Sequence, residues 1–194
     1  MEKKHFVFIN NQGLSEVGGG VTILKQLVKK CAENNDVTVI SETEPVNFLA
    51  NNITQLTIPK SPSSAMGLWR LKPILKALFL KCQLKKVLPV KYDCLIVMDC
   101  HYALAINTSR RINSSIHYIS LSCIPRQEWF ADIGGLYQRG IYYLQYFFLE
   151  RKMIQLVDQV FVSSKGHKDE ISFYEKVTSF APIILEPVFK PKRN

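Results

Sequence analysis

The chain has 194 residues, with 25 Lys and Arg against 16 Asp and Glu for a formal charge of +9, and 47% of it is hydrophobic. That balance excludes a disordered or collagen-like chain, and the length can bury a real core in one large domain or two small ones. No apolar run approaches the roughly 18 residues of a spanning helix, and the apolar run Phe6 to Ile9 is too short for a signal-peptide core.

In chain order, short apolar runs alternate with segments of helical spacing. His5 to Ile9 reads as a first strand, followed by a polar, glycine-rich loop from Asn10 to Gly20. Val21 to Glu33 places Ile23, Leu24, Leu27, Val28 and Cys31 at helical spacing, and Asn34-Asn35-Asp36 ends that helix. Val37 to Ile40 gives a second, β-branched strand and Ile53 to Ile58 a weaker third. Pro59 to Ser64 reads as a loop before a basic helix, Pro73 to Leu88, with proline well placed in the first turn. Cys94 to Met98 is an apolar strand of the kind covered on both faces. His101 to Ile112 is expected to be helical and Ile116 to Leu121 a strand, with a loop from Ser122 to Gly135 after it. A long helix, Leu136 to Leu156, then a strand, Gln159 to Val162, a short helix, Gly166 to Tyr174, and a last strand, Val177 to Ile184, complete the pattern.

Strands separated by helical stretches specify an α/β fold with a mainly parallel sheet of about seven strands in a three-layer, Rossmann-like domain. Ligands in such sheets bind beyond the carboxyl ends of the strands. The loops to search are therefore Asn10 to Gly20, Asp99 to His101, Ser122 to Gly135 and Ser163 to Gly166.

The five cysteines are scattered without a C-x-x-C pair, which points to buried thiols in a reducing compartment, and no metal-ligand or Ser-His-Asp pattern can be assembled. The charge is concentrated. From Pro45 to Tyr92 there is no Asp or Glu, whereas Lys60, Arg70, Lys72, Lys76, Lys81, Lys85, Lys86 and Lys91 all fall there. Such a block implies an anionic partner. The helix is rich in apolar residues (Ile74, Leu75, Leu78, Phe79, Leu80 and Leu84), and lysine stems lying over apolar surface could bring ammonium groups to lipid phosphates, although the lysines do not form one stripe and a solvated face is the ordinary alternative. Nucleic acid is not expected, for want of a binding motif or interleaved aromatics. Most of the aromatics Tyr137, Tyr142, Tyr143, Tyr146, Phe147 and Phe148 are expected in the core, the alternative being one exposed tyrosine edge that faces another domain or a bilayer interface.

Gly13-Leu14-Ser15-Glu16-Val17-Gly18-Gly19-Gly20 could cradle an anion, since glycine lets backbone N–H groups approach a ligand at a helix N-terminus. It is neither a P-loop, because Gly stands at position 19 where Lys is needed, nor a dinucleotide fingerprint, because Ile23 replaces the third glycine. A plain strand-to-helix turn is the alternative. Asp99 and His101 follow a central strand and are candidates to bind an acceptor or act as a base, or else to cap the next helix. Glu128 is a weaker candidate.

Three stretches together resemble the N-terminal domain of GT-B glycosyltransferases, specifically the retaining family-four type. They are Gly18-Gly19-Gly20 with the helix from Val21 and the strand Asp36 to Ser41; Tyr92-Asp93-Cys94-Leu95-Ile96-Val97; and Glu150-Arg151 followed by Asp158 to Ser164. The resemblance covers nearly the whole chain. It implies transfer of a sugar from a nucleotide sugar to a glycan or lipid-linked acceptor, with retention at the anomeric carbon. It places Gly18, Gly19, Gly20, Ser122 and Ser164 at the donor phosphates and acceptor, with no tightly bound cofactor. It also implies docking on the inner, cytoplasmic face of a membrane through Arg70, Lys72, Lys76, Lys81, Lys85 and Lys86. Ser122 stands where that family commonly has a histidine. Residues 1–186 would form the domain and 187–194 the start of a linker to a donor-binding domain or subunit, without which the chain would be inactive. The rival reading is a non-catalytic α/β adaptor that uses its basic face to hold an anionic membrane or protein.

Overall fold

The computed structural model describes residues 2–46, 51–60, 72–106, 114–120, 148–162 and 177–179. Seven parallel strands form one sheet in the order β3-β2-β1-β4-β5-β6-β7. They are β1 (His5–Ile9), β2 (Asp36–Ser41), β3 (Ile53–Thr57), β4 (Cys94–Val97), β5 (Ser115–Ser120), β6 (Gln159–Val162) and β7 (Val177–Ser179). The register runs Val7 beside Thr38 on one side and beside Leu95 on the other, and Leu95 beside Ile116. The expected α/β fold and strand number hold, and β6 has the predicted bounds.

Alternation along the strands divides the core in two. Val7, Ile9, Ile40, Leu95, Val97, Ile116, Val160 and Val162 face one layer, whereas Phe8, Val37, Val39, Met98 and Ile119 face the other. Helix α1 (Gly19–Ala32) covers the second face with Leu24, Val28 and Ala32. Helix α2 (Lys72–Val87) covers the first with Ala77, Leu80 and Leu84, and Leu88 continues the stripe with its N–H still bonded to the Leu84 carbonyl at 2.9 Å. Helices α3 (Ala103–Ile106) and α4 (Arg151–Leu156) join α2 on that face. Right-handed crossovers require this split, because the chain moves one way from β1 to β2 and the other way from β3 to β4 and onward. Between β1 and β4 the order therefore reverses, the point at which open α/β sheets place their ligands.

Three expected elements come out differently. Helix α1 begins at Gly19, two residues early, because the Gly18 carbonyl already accepts the Thr22 backbone N–H at 2.9 Å and the Thr22 hydroxyl at 3.0 Å. The segment from His101 opens as a 3-10 turn, Cys100–Tyr102, before α3, and residues 107–113 lie outside the described ones. The end of the long helix is not uniformly α: residues 148–150 are π-helical, and there Glu150 turns inward to accept the Ser120 hydroxyl at 3.0 Å and the Tyr118 hydroxyl at 3.4 Å. Of the expected aromatic core run, Phe148 alone is described, and it is 50% exposed. The linker at 187–194 and the short helix at 166–174 lie outside the described residues.

Candidate functional site

The carboxyl ends of β1, β2 and β4 deliver the groups of interest to one edge of the sheet. After β1, Asn10 is held by its N–H to the Ile40 carbonyl at 3.1 Å and by its side chain to the Gln12 carbonyl at 2.9 Å. Gly13 then presses on the end of β2: a Cβ placed there would lie 1.8 Å from Thr43 Oγ1 and 2.9 Å from Ser41 Oγ. Packing, not an anion, accounts for this glycine. Gly18 and Gly19 are the opposite case, because a Cβ on either meets nothing within 4 Å. Gly18 is the N-cap of α1 with no side-chain cap, and the first turn carries no acidic residue. A 14-residue helix thus opens at exposed glycines, at the positive end of its dipole.

After β4, one carboxylate oxygen does two things. Asp99 Oδ1 accepts the His101 backbone N–H at 2.8 Å, capping the 3-10 turn, and accepts the His101 ring Nδ1–H at 2.6 Å. The capping reading of this pair holds, and the same oxygen also orients the His101 ring. Donation through Nδ1 leaves Nε2 as the ring's acceptor. Burial favours the protonated Asp99 carboxyl, but the His101 bond, the His101 ring and the Lys76 charge outweigh it and hold the group below its ordinary value. Cys100 Sγ lies with the Asp99 and His101 ligand-type atoms, all within 4.8 Å, two of them being the hydrogen-bonded pair.

Lys76 departs from the surface role expected of it. Its Nζ lies 3.3 Å from Glu42 Oε1, with side-chain exposures of 21% and 11%, and its charge reaches Asp99. Burial, then Asp99 and Glu42, push the Tyr102 hydroxyl well up; this buried Oη finds no hydrogen-bond partner among the described residues. Burial, then Glu150, does the same to Tyr118, whose neighbours also include Cys100 and Asp99.

The structure therefore brings together Asp99, His101 and Lys76 from the predicted set, with Gly18, Gly19 and Gly20 at the same end of the adjacent strand. Lys85 and Lys86 are exposed in the last turn of α2, and Lys81 is half-buried. Lys72 opens α2. Arg70, Ser122, Glu128 and Ser164 lie outside the described residues. Glu42, Tyr102 and Glu150 were missed as site residues. Glu42 carried a signal, since it directly follows β2 and the strand-end rule applies there as it does to β4. Lys76 carried one too: it is three residues after Pro73 and four before Leu80, both buried, so it flanks the core stripe. Cys94 and Cys100 are buried as expected, but Cys82 is exposed.

No protein-family model and no curated protein matches the sequence. Solved structures do match. LpCGTa in complex with UDP is 15% identical, with a TM-score of 0.54 over 96% of this chain and 56% of that one. UGT71G1 of Medicago truncatula, complexed with UDP-glucose, is 13% identical, with a TM-score of 0.55 over 93% and 52%. Apo UGT2 of Phytolacca americana is 11% identical, with a TM-score of 0.54 over 93% and 52%. The chain thus spans just over half the length of these structures. They are GT-B glycosyltransferases, and the likeness establishes the Rossmann-like α/β fold that this chain shares with them.

Proposed function

We propose that this chain is the acceptor-binding half of a glycosyltransferase that moves a sugar from a nucleotide sugar to a glycan or lipid-linked acceptor, and that it is inactive without a donor-binding domain. One observation carries the reading. Adjacent parallel strands bring an uncapped helix N-terminus (Gly18 to Gly20) and an oriented Asp99–His101 pair to the point where the strand order reverses. Two of the structures that share the fold hold UDP or UDP-glucose, and a diphosphate suits the open N–H groups of α1. Ser122 and Ser164 complete the proposed donor and acceptor contacts on the sequence resemblance. No helix among the described residues is long and apolar enough to cross a membrane.

His101 has a definite part to play. Its Nδ1 is committed to Asp99, so Nε2 can receive the hydrogen bond of an acceptor hydroxyl. If His101 takes the proton as the hydroxyl attacks from the face opposite the leaving phosphate, the anomeric configuration inverts. Retention requires the acceptor to approach from the leaving-group face, where the departing phosphate can receive the proton. We adopt retention, which the sequence resemblance implies, with His101 orienting the acceptor; the product's anomeric configuration, read by proton NMR, decides between these roles.

The membrane-docking proposal now centres on Lys85 and Lys86, which are exposed in the last turn of α2, with Lys76 withdrawn from it. Co-sedimentation with phosphatidylglycerol vesicles, with and without charge reversal of this pair, tests it.

The transfer reading is tested by supplying a donor-binding domain, in cis or in trans, and following sugar transfer from a panel of UDP-sugars by mass spectrometry. Asp99→Asn and His101→Gln should each lower the rate by about 10²-fold or more while the fold is retained. Undiminished transfer by both variants would remove the pair from the mechanism.

A further inference from the structure

We propose that Lys76 is a positioning residue of the strand-end site: its ammonium pairs with Glu42 after β2, and its positive charge favours the Asp99 carboxylate that holds His101 after β4. This rests on the reading above only for what the held histidine is for.

The geometry comes first. Lys76 projects from the buried side of α2, a helix anchored in the core by Ala77 and Leu80, both fully buried. Its ammonium meets Glu42 at 3.3 Å, and both side chains are largely withdrawn from water, unlike the exposed Lys30–Glu33 pair at 78% and 48%. A pair so placed is less screened than a surface pair, and loss of one partner leaves the other charge desolvated. Glu42 lies between Ser41 and Thr43, the residues against which the Gly13 turn packs. One contact chain therefore runs from the glycine loop after β1, through the end of β2, to α2, and by charge to the Asp99–His101 pair after β4.

The charge inventory then shows why a cation is needed there. Asp99 is faced by His101 and Cys100 from its own turn, by Tyr102 beyond them, by Tyr118 from β5, and by Lys76 from α2. Glu42 acts on the same Tyr102. Lys76 thus acts on both carboxylates, Glu42 by contact and Asp99 by charge. Without Lys76, Asp99 and Glu42 would stand in the same largely buried corner without its ammonium. A carboxyl held less firmly as the carboxylate fixes the Nδ1–H form of His101 less firmly. Lys76 therefore acts through Asp99 and need not touch a substrate.

The test reads the protein itself and needs no sugar transfer. In the isotopically labelled chain, the Asp99 carboxyl carbon is titrated by 13C NMR and the His101 tautomer is read from its ring nitrogens, with the amide spectrum reporting the fold. Lys76→Met, which keeps the apolar stem, should move the Asp99 midpoint up, and Lys76→Arg should restore it. Glu42→Gln should move it down, because the ammonium is then no longer shared. A residue that merely packs would not give shifts of opposite sign. A folded Lys76→Met chain with an unmoved Asp99 midpoint and an unchanged His101 tautomer overturns the proposal. If Lys76→Met does not fold, Glu42→Gln decides: a downward shift supports the proposal, and no shift or an upward one overturns it. Because neither outcome involves a donor or acceptor, failure here would leave the transferase reading standing, and the converse holds.

Discussion

Gly13→Ala should loosen the joint between the first two strand-end loops. The added Cβ would sit 1.8 Å from Thr43 Oγ1, 1.6 Å short of where ordinary contact begins at 3.4 Å, and 2.9 Å from Ser41 Oγ. Rotation of Thr43 can carry Oγ1 away, but its Cβ remains at 3.1 Å, still tight, and the 3.4 Å contact between the Ser41 and Thr43 hydroxyls is given up. Overpacking of this kind costs about 1–3 kcal/mol. Thr43→Ala removes the worst contact, so the double variant should recover part of that loss, with a coupling of about 1 kcal/mol from a double-mutant cycle in urea. Additive single changes, or a loss from Gly13→Ala below about 0.5 kcal/mol, would refute the claim that packing dictates this glycine.

Asp99 gives a pH signature. Its folded proton affinity is lowered, so the stability it contributes is complete above its ordinary value of 3.8 and is lost as pH falls through the still lower folded value. Asp99→Asn should flatten that part of the acid-unfolding curve, as followed by circular dichroism from pH 6 downward. Leu84, fully buried between α2 and the sheet, should cost about 2–5 kcal/mol when cut to Ala, measured by the shift of the urea midpoint. Among the described cysteines, exposed Cys82 should be alkylated first in the native chain and Cys94 far more slowly, since burial raises its thiol and shields it; peptide mapping after brief iodoacetamide treatment reads the order.

Much of the fold was legible because burial on both faces makes central strands contiguous in apolar residues: β1, β4 and β6 are visible as runs, and α1 as the helical spacing of Ile23, Leu24, Leu27, Val28 and Cys31. The candidate site was legible at Asp99 and His101 through one rule, that function gathers where parallel strands end. Their ring hydrogen bond was not, because capping specifies only the backbone contact, and the direction of the His101 ring is set by the fold around it. Counting charges misdirected Lys76. A run of lysines without acids describes a basic segment but not the direction of each side chain, and the acid that turns this one inward is Glu42, 34 residues earlier at the end of another strand. Glu150 depended on a π-helical turn, which shifts the helix phase by a residue and leaves no trace in apolar periodicity. The glycine loop was half understood: Gly13 answers to Thr43, whereas a Cβ at Gly18 or Gly19 would meet nothing within 4 Å.

That last contrast bears on the central claim, that the end of α1 beside β4 receives the diphosphate of a nucleotide sugar. The direct measurement is an amide-resolved NMR titration of the chain with UDP. The account predicts saturable shifts concentrated at Gly18, Gly19, Gly20 and Val21. It also predicts that these are lost in Gly19→Asp, whose carboxylate would occupy and repel at the same N–H groups without a steric clash. Amides of that turn that stay in place while UDP saturates elsewhere, or not at all, would contradict it.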